Sequence, residues 1–145
     1  MTDIIEIYTD GSCLGNPGVG GWGAILLYKG HIKKISGGNS TTTNNQMELK
    51  AVIEALKILK RPSKIIIYTD SQYVKNGLTT WIKKWKVNGW RTADRKPIKN
   101  LELWQELEIE AEKHQIDWRW VKAHNGNKFN EMVDELARQA AYDVR

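Results

Sequence analysis

The chain has 145 residues, of which 41% are hydrophobic and 27% are charged, and a formal net charge of +5, as is typical of one globular domain. Seven Trp, five Tyr and the lack of any apolar run of about 20 residues exclude a disordered chain and a membrane-spanning helix. The N-terminus has no basic segment of the kind that opens a secretory signal, and Cys13 is the only cysteine. We therefore expect a cytoplasmic protein without an internal disulfide.

The first third of the chain predicts three β-strands. Their apolar patterns cover residues 4–9, 22–28 and 31–36. A glycine-rich loop at residues 11–21 separates the first two strands, because Pro17 opposes regular structure there. Lys29 and Gly30 join the last two strands, as in a hairpin.

A helix and a buried strand come next. Thr43 and Gln46 have the spacing of a capping box, so we expect a helix to begin there, and Pro62 to follow its end. Residues 65–69 are rich in β-branched side chains, which is typical of a central strand buried on both faces.

The second half of the chain is mainly helical. Apolar residues at helical spacing cover residues 74–85, with a break around residues 77–80, and then residues 101–112 and 127–142. Residues 116–121 alternate and predict a strand. Three consecutive strands followed by alternating helices and strands indicate an α/β protein, with a mixed sheet covered by helices.

The positive charge is concentrated in residues 81–99. This segment has a net charge of +6, whereas the remaining 126 residues together carry −1. Its basic residues are Lys83, Lys84, Lys86, Arg91, Arg95, Lys96 and Lys99. Such a patch is typical of a surface that binds nucleic acid, and the alternative is a solvated helix face.

Two of the predicted strands end in the same three residues, Tyr-Thr-Asp, at positions 8–10 and 68–70. If these strands are parallel neighbours, Asp10 and Asp70 emerge at the carboxyl edge of the sheet, where ligands bind in α/β proteins. Two carboxylates held together repel each other unless a cation lies between them. A single Asp often caps a turn, but the repetition favours a shared site.

Glu48 and Asp134 are candidates to join this pair. Glu48 lies in the first turn of its predicted helix, and Asp134 lies at the edge of the buried face of the last helix. Their alternative roles are an acid at a helix N-terminus and an ion pair with Arg138. Carboxylate oxygens suit Mg²⁺ or Mn²⁺ better than Zn²⁺, and the sequence has no zinc motif, P-loop or nucleophile elbow.

Clustered carboxylates and a basic segment together indicate metal-assisted phosphodiester chemistry. Two divalent ions about 4 Å apart would flank the scissile phosphate. His124 follows a predicted strand and could shuttle a proton or assist product release, and its alternative is a solvated loop residue.

Five motifs spread over nearly the whole chain resemble type 1 ribonuclease H of the bacterial kind. They are YTDGSC at 8–13, GNPG at 15–18, TTNNQMEL at 42–49, TDSQYV at 69–74 and NEMVDELA at 130–137. The resemblance implies the ribonuclease H-like α/β fold, with a five-stranded mixed sheet of strand order 3-2-1-4-5 flanked by helices. It also implies a single catalytic domain over residues 1–145, whose basic protrusion lies at about residues 81–99.

The resemblance further implies an endonuclease that cuts the RNA strand of RNA–DNA hybrids and leaves 3′-hydroxyl and 5′-phosphate ends. Two Mg²⁺ ions, with Mn²⁺ as a substitute, would be held by Asp10, Glu48, Asp70 and Asp134, and His124 would assist turnover. The residues implied to bind nucleic acid are Gly11, Cys13, Asn16, Thr43, Asn44, Asn45, Gln72, Trp81, Lys83, Lys84 and Lys86. We expect a cytoplasmic monomer with no membrane partner.

Two other functions are weighed against this one. The first is a non-catalytic nucleic-acid-binding domain of the same fold, but all four acids are present, whereas degenerate copies lose acids. The second is a nuclease of different specificity, of the resolvase or transposase type. The Asn-rich turn before Glu48 suits recognition of a ribose 2′-OH and favours hybrid cleavage.

Overall fold

The computed structural model describes residues 3–92, 97–121 and 127–144. Its five strands are β1 Ile4–Cys13, β2 Gly18–Tyr28, β3 His31–Thr42, β4 Lys64–Thr69 and β5 Gln115–Trp120. They form one sheet in the order β3-β2-β1-β4-β5, which confirms the order implied by the resemblance. The strand β1 is antiparallel to β2 and parallel to β4, so the sheet is mixed.

The helices lie on both faces of this sheet. They are α1 Asn44–Lys57, α2 Gln72–Asn76, α3 Ile82–Val87, α4 Leu101–Glu112 and α5 Lys128–Val144. The main core lies between the sheet and α1, where Leu49, Val52 and Ile53 are fully buried. On the opposite face, Val133 of α5 packs with Tyr8 and Ile25.

The glycine-rich loop was predicted too long. Instead, β1 continues to Cys13 and β2 begins at Gly18, with Gly11 paired to Trp22 and Cys13 paired to Gly20. A β-carbon at Gly23 would lie 2.8 Å from the β-carbon of Leu136, and one at Gly21 would meet the backbone of α5. These strand positions therefore lack side chains because α5 packs directly on the sheet.

The break predicted around residues 77–80 was also wrong. A π-helical turn at Gly77–Trp81 joins α2 to α3, so the chain remains helical from Gln72 to Val87. The ring of Trp104, which is fully buried, lies against Gly77 where a β-carbon would be. Glycine is therefore needed at position 77, because the ring of Trp104 on α4 occupies the space that a side chain would fill.

We expect Gly77→Ala to destabilise the protein by about 1–3 kcal/mol, because the added methyl overlaps a ring that cannot easily move. The Nε1–H of Trp104 donates to the hydroxyl of Tyr73 at 3.0 Å, which holds the ring in place. Urea unfolding measures the change. Thr80→Ala is the matched control, since Thr80 is exposed in the same turn. A Gly77→Ala protein as stable as the wild type would contradict this account, because alanine intrinsically favours helix over glycine.

Candidate active site

The parallel pairing of β1 with β4 brings the two repeated strand ends together. Tyr8 is opposite Tyr68 in the register, and their rings stack with centroids 4.5 Å apart and planes 13° apart. Asp10 and Asp70 each follow the stacked tyrosine of their own strand by two residues. Their carboxylates therefore meet at the carboxyl edge of the sheet. The structure thus brings together the two aspartates at which the repeated strand ends predicted a shared site.

Glu48 reaches the same place from the first turns of α1. The side chain of Thr43 accepts a hydrogen bond from the backbone N–H of Gln46, and the side chain of Gln46 accepts one from the N–H of Thr43, so the predicted capping box is present. The backbone N–H of Gly11 donates to Glu48 Oε1 at 2.7 Å. A β-carbon at Gly11 would lie 2.5 Å from the backbone nitrogen of Glu48, so only glycine lets β1 pass this close to α1.

Three of the four predicted metal ligands form a tight group. One oxygen each from Asp10, Glu48 and Asp70 lie within 4.8 Å of one another, and Asp10 and Glu48 are 9% and 5% exposed. Asp134, on α5, lines the same cavity of about 220 Å³ but is not one of the three. It also forms the ion pair with Arg138 that was its alternative role, at 3.2 Å. His124 lies outside the described residues.

The protonation of this group follows from its burial. Burial raises the pKa of Asp10 well above the usual carboxyl range, and the negative charges of Glu48, Asp70 and Asp134 raise it further. Burial also raises the pKa of Glu48, against the hydrogen bonds that it accepts. Buried carboxylates that repel each other are stabilised by a positive charge between them, and an all-oxygen donor set fits a hard divalent cation.

The predicted substrate-binding residues of the Asn-rich turn lie beside this cavity. Asn44 lines it, and its backbone N–H donates to Asn16 Oδ1 at 3.0 Å, while Thr43 caps α1. Asn45 and Gln72 are exposed at the N-terminal ends of α1 and α2. The structure thus brings Asn16, Thr43 and Asn44 into one surface next to the carboxylates.

Cys13 lies at the end of β1 and is half-buried. Its thiol donates to the carbonyl of Gly15 and lies 3.5 Å from the carbonyl of Thr42. It therefore holds the turn that carries Asn16 against the end of β3.

The predicted residues of the basic segment have different surroundings. Trp81 is half-buried and packs edge-on against Tyr73 and Trp104. Lys83 and Lys84 are exposed on α3 and form no ion pair with any other residue that the structure describes. Lys86, in contrast, forms an ion pair with Glu108 and lies 3.8 Å from Glu112. Its charge is therefore partly neutralised by α4.

A hydrogen-bonded link that the sequence reasoning missed joins the Asn-rich turn to the base of this segment. Gln46 Nε2 donates to Asn100 Oδ1 at 3.1 Å, and Asn100 Nδ2 donates to the Tyr73 hydroxyl at 2.9 Å. Asn100 has a left-handed backbone with φ of 61°, which asparagine tolerates better than most residues. The available signal was an asparagine directly before a predicted helix.

Two further residues that line the cavity, Asn130 and Glu131, were also missed as site residues. Both belong to the motif at 130–137 and lie one helical turn or less before Asp134. Their position on α5 adds an amide and a carboxylate to the lining of the cavity.

Known proteins resemble this chain over nearly its whole length. A family model described as RNase H matches residues 2–142. "Ribonuclease H" of Hyphomonas neptunium is 58% identical over 143 residues, which are 99% of this chain and 95% of that protein. "Ribonuclease HI" of Vibrio cholerae serotype O1 is 56% identical over 141 residues, 97% of this chain and 90% of that protein. The crystal structure of LC9-RNase H1, "a type 1 RNase H with the type 2 active-site motif", has a TM-score of 0.88 and 35% identity, and the match covers 99% of this chain and 74% of that one.

We expect Asp10→Asn to stabilise the metal-free protein at neutral pH by roughly 1–3 kcal/mol, because the neutral amide avoids the cost of protonating on folding a carboxyl that is ionised in the unfolded chain. The raised pKa favours the protonated carboxyl in the folded state. The penalty for Asp10 is therefore absent below about pH 4 and grows as the pH rises toward the folded-state pKa. Thermal unfolding in a chelator at pH 4 and pH 7 measures this.

Asp117→Asn is the control for that comparison, because Asp117 is an exposed carboxylate that pairs with Arg119 at 2.8 Å. It should give no stabilisation at pH 7. An Asp10→Asn protein that is less stable than the wild type at pH 7 without metal would show that the carboxylates do not repel.

Proposed function

The chain belongs to the RNase H family, and on that premise we propose that it is an endonuclease that hydrolyses the RNA strand of RNA–DNA hybrids by two-metal-ion catalysis. The observation that carries this proposal is the meeting of Asp10, Glu48 and Asp70 at one sheet edge, beside Asn16 and Asn44. Cleavage would be tolerant of sequence and leave 3′-hydroxyl and 5′-phosphate ends.

The four carboxylates would hold two Mg²⁺ ions, for which Mn²⁺ could substitute. The donor set supports this, since oxygens of the buried Asp10 and Glu48 and of the half-buried Asp70 lie together, and Asp134 lines the same cavity. The chemistry that such ions supply is the attack of a water on the phosphate and stabilisation of the leaving oxygen. The N–H of Gly11 would keep the Glu48 carboxylate in place by its hydrogen bond.

The choice of RNA over DNA would come from amide side chains next to the cavity. A ribose 2′-OH is both a donor and an acceptor, and Asn and Gln amides carry both kinds of group. Asn44 lines the cavity, and Gln72 follows Asp70 by two residues. Glu48 would contact the same 2′-OH, while Asn16 and Thr43 would hold the DNA strand.

The segment 81–99 would be a basic protrusion that docks the hybrid, within a single domain over residues 1–145. Lys83 and Lys84 would bind phosphates without reading sequence, and Trp81 would line the groove. His124 would assist turnover.

We further propose that the protein acts as a monomer in the cytoplasm. Within the described residues, every helix is too short or too polar to cross a membrane.

We expect Mg²⁺-dependent cleavage of RNA paired with DNA, and little cleavage of DNA–DNA or RNA–RNA duplexes of the same sequence. Asp10→Asn should lower the hybrid cleavage rate by orders of magnitude while hybrid binding stays within a few-fold, because the loss falls on metal placement. Asp117→Asn should behave as the wild type. Equal cutting of the DNA duplex, or near-normal rates for Asp10→Asn, would refute the proposal.

The lysines of α3 should differ in their effect on hybrid binding. Lys83→Ala and Lys84→Ala should each weaken binding and reduce the salt slope of log Kd by about 0.7–0.9, because each removes one phosphate contact. Lys86→Ala should change the slope less, since its charge is already paired with Glu108. Fluorescence anisotropy over a salt series measures the slopes. Equal effects of all three substitutions would show that the ion pair does not restrain Lys86.

A further inference from the structure

Asp134 faces two different charges at once. It lines the carboxylate cavity with Asp10, Glu48 and Asp70, and its Oδ2 atom lies 3.2 Å from Nε of Arg138, one turn later on α5. The other side of the guanidinium is held by Glu135, whose Oε2 accepts from Nη2 at 2.6 Å. Arg138 is thus clamped between two carboxylates, one of which belongs to the candidate metal site.

Asp134 lies between a negatively charged cavity and the positively charged guanidinium of Arg138. Among the residues that the structure describes, those with charged side chains that line the cavity are all acidic, namely Asp10, Glu48, Asp70, Glu131 and Asp134. Arg138 lines an adjoining open depression with Glu131, Asp134 and Glu135. The guanidinium therefore puts a permanent positive charge at the edge of a site that selects positive ions.

We propose that Arg138 competes with a divalent cation for the carboxylate of Asp134, and so sets the metal concentration at which the site fills. This inference rests on the proposed metal-dependent function. A carboxylate that already neutralises a guanidinium attracts a second cation less, and the two cations repel each other across it. Arginine remains charged at all working pH values, so the competition is always present.

The competition also gives Arg138 a positioning role. Its Nε contacts Oδ2 of Asp134 while its Nη2 contacts Oε2 of Glu135, so one planar group holds both carboxylates. Lysine has the same charge but cannot hold Asp134 and Glu135 with one rigid planar group. Charge and geometry can therefore be separated by substitution.

The test measures Mn²⁺ binding to the full chain without substrate, by calorimetry or by the electron paramagnetic resonance signal of free Mn²⁺. Arg138→Gln should tighten the Kd about two- to fivefold, the effect expected for one half-exposed ion pair. Arg138→Lys should stay near the wild-type Kd because it keeps the charge. The Mn²⁺ concentration for half-maximal hybrid cleavage should fall with the Kd of Arg138→Gln.

Arg119→Gln is the matched control, since Arg119 is a similarly exposed arginine paired with an aspartate, Asp117, on β5. It lowers the net charge by the same amount and should leave the Kd unchanged. Tightening by Arg119→Gln would show a general effect of net charge and overturn the proposal. Unchanged or weaker Mn²⁺ binding by Arg138→Gln would overturn it as well.

Failure of the underlying function has a separate signature. If Asp10→Asn bound Mn²⁺ as tightly as the wild type, the cluster would not be the metal site, and both proposals would fall. If Asp10→Asn lost binding while Arg138→Gln left it unchanged, only the role of Arg138 would be wrong.

Discussion

The mutual repulsion of Asp10, Glu48 and Asp70 is the constraint on which the rest of this structure depends. Two of these carboxylates are almost fully buried, and an oxygen of each lies within 4.8 Å of the others. Such an arrangement is unfavourable by itself, because burial and like charge both oppose ionisation. It persists because strand pairing, the Tyr8–Tyr68 stack and the capping box of α1 fix the backbone on either side. The cost at the site is offset by the core around it.

The fold supplies that support at the point where β1 crosses the start of α1. Parallel pairing of β1 with β4 fixes the Asp10 and Asp70 backbones, and the Tyr8–Tyr68 stack fixes the faces of the two strands. The capping box at Thr43 sets where α1 begins, and hence which turn carries Glu48. Gly11 permits the close approach and supplies an N–H to Glu48. The lack of a side chain at Gly11 thus allows β1, β4 and α1 to meet at this point.

The basic segment is anchored to the same framework rather than attached loosely. Its helical part packs through Trp81 and Trp85 on Trp104, and Lys86 pairs with Glu108 of α4. Through Asn100, the hydrogen bonds of Tyr73 continue to Gln46 in the capping box of α1. The surface that would hold the nucleic acid and the site that would cut it are therefore connected by aromatic packing around the buried Trp104 and by polar contacts. Their spacing is a property of the fold.

Local signals in the sequence were sufficient for three clustered carboxylates of the site, Asp10, Glu48 and Asp70, and for most of the fold. The repeated Tyr-Thr-Asp strand ends, the capping box before Glu48 and the five family motifs predicted the carboxylate cluster and the strand order, because each depends on neighbouring residues or on a recognisable pattern. Only the tertiary structure decided the rest. Gly21 was predicted as a loop residue, yet it lies in β2, where α5 packs directly on it. Gly77 was predicted to lie in a break of the helix, yet it lies in a π-helical turn against the ring of Trp104. Likewise, Lys86 pairs with α4 and Gln46 with Asn100, and these partners lie far away in sequence, where spacing and composition carry no information.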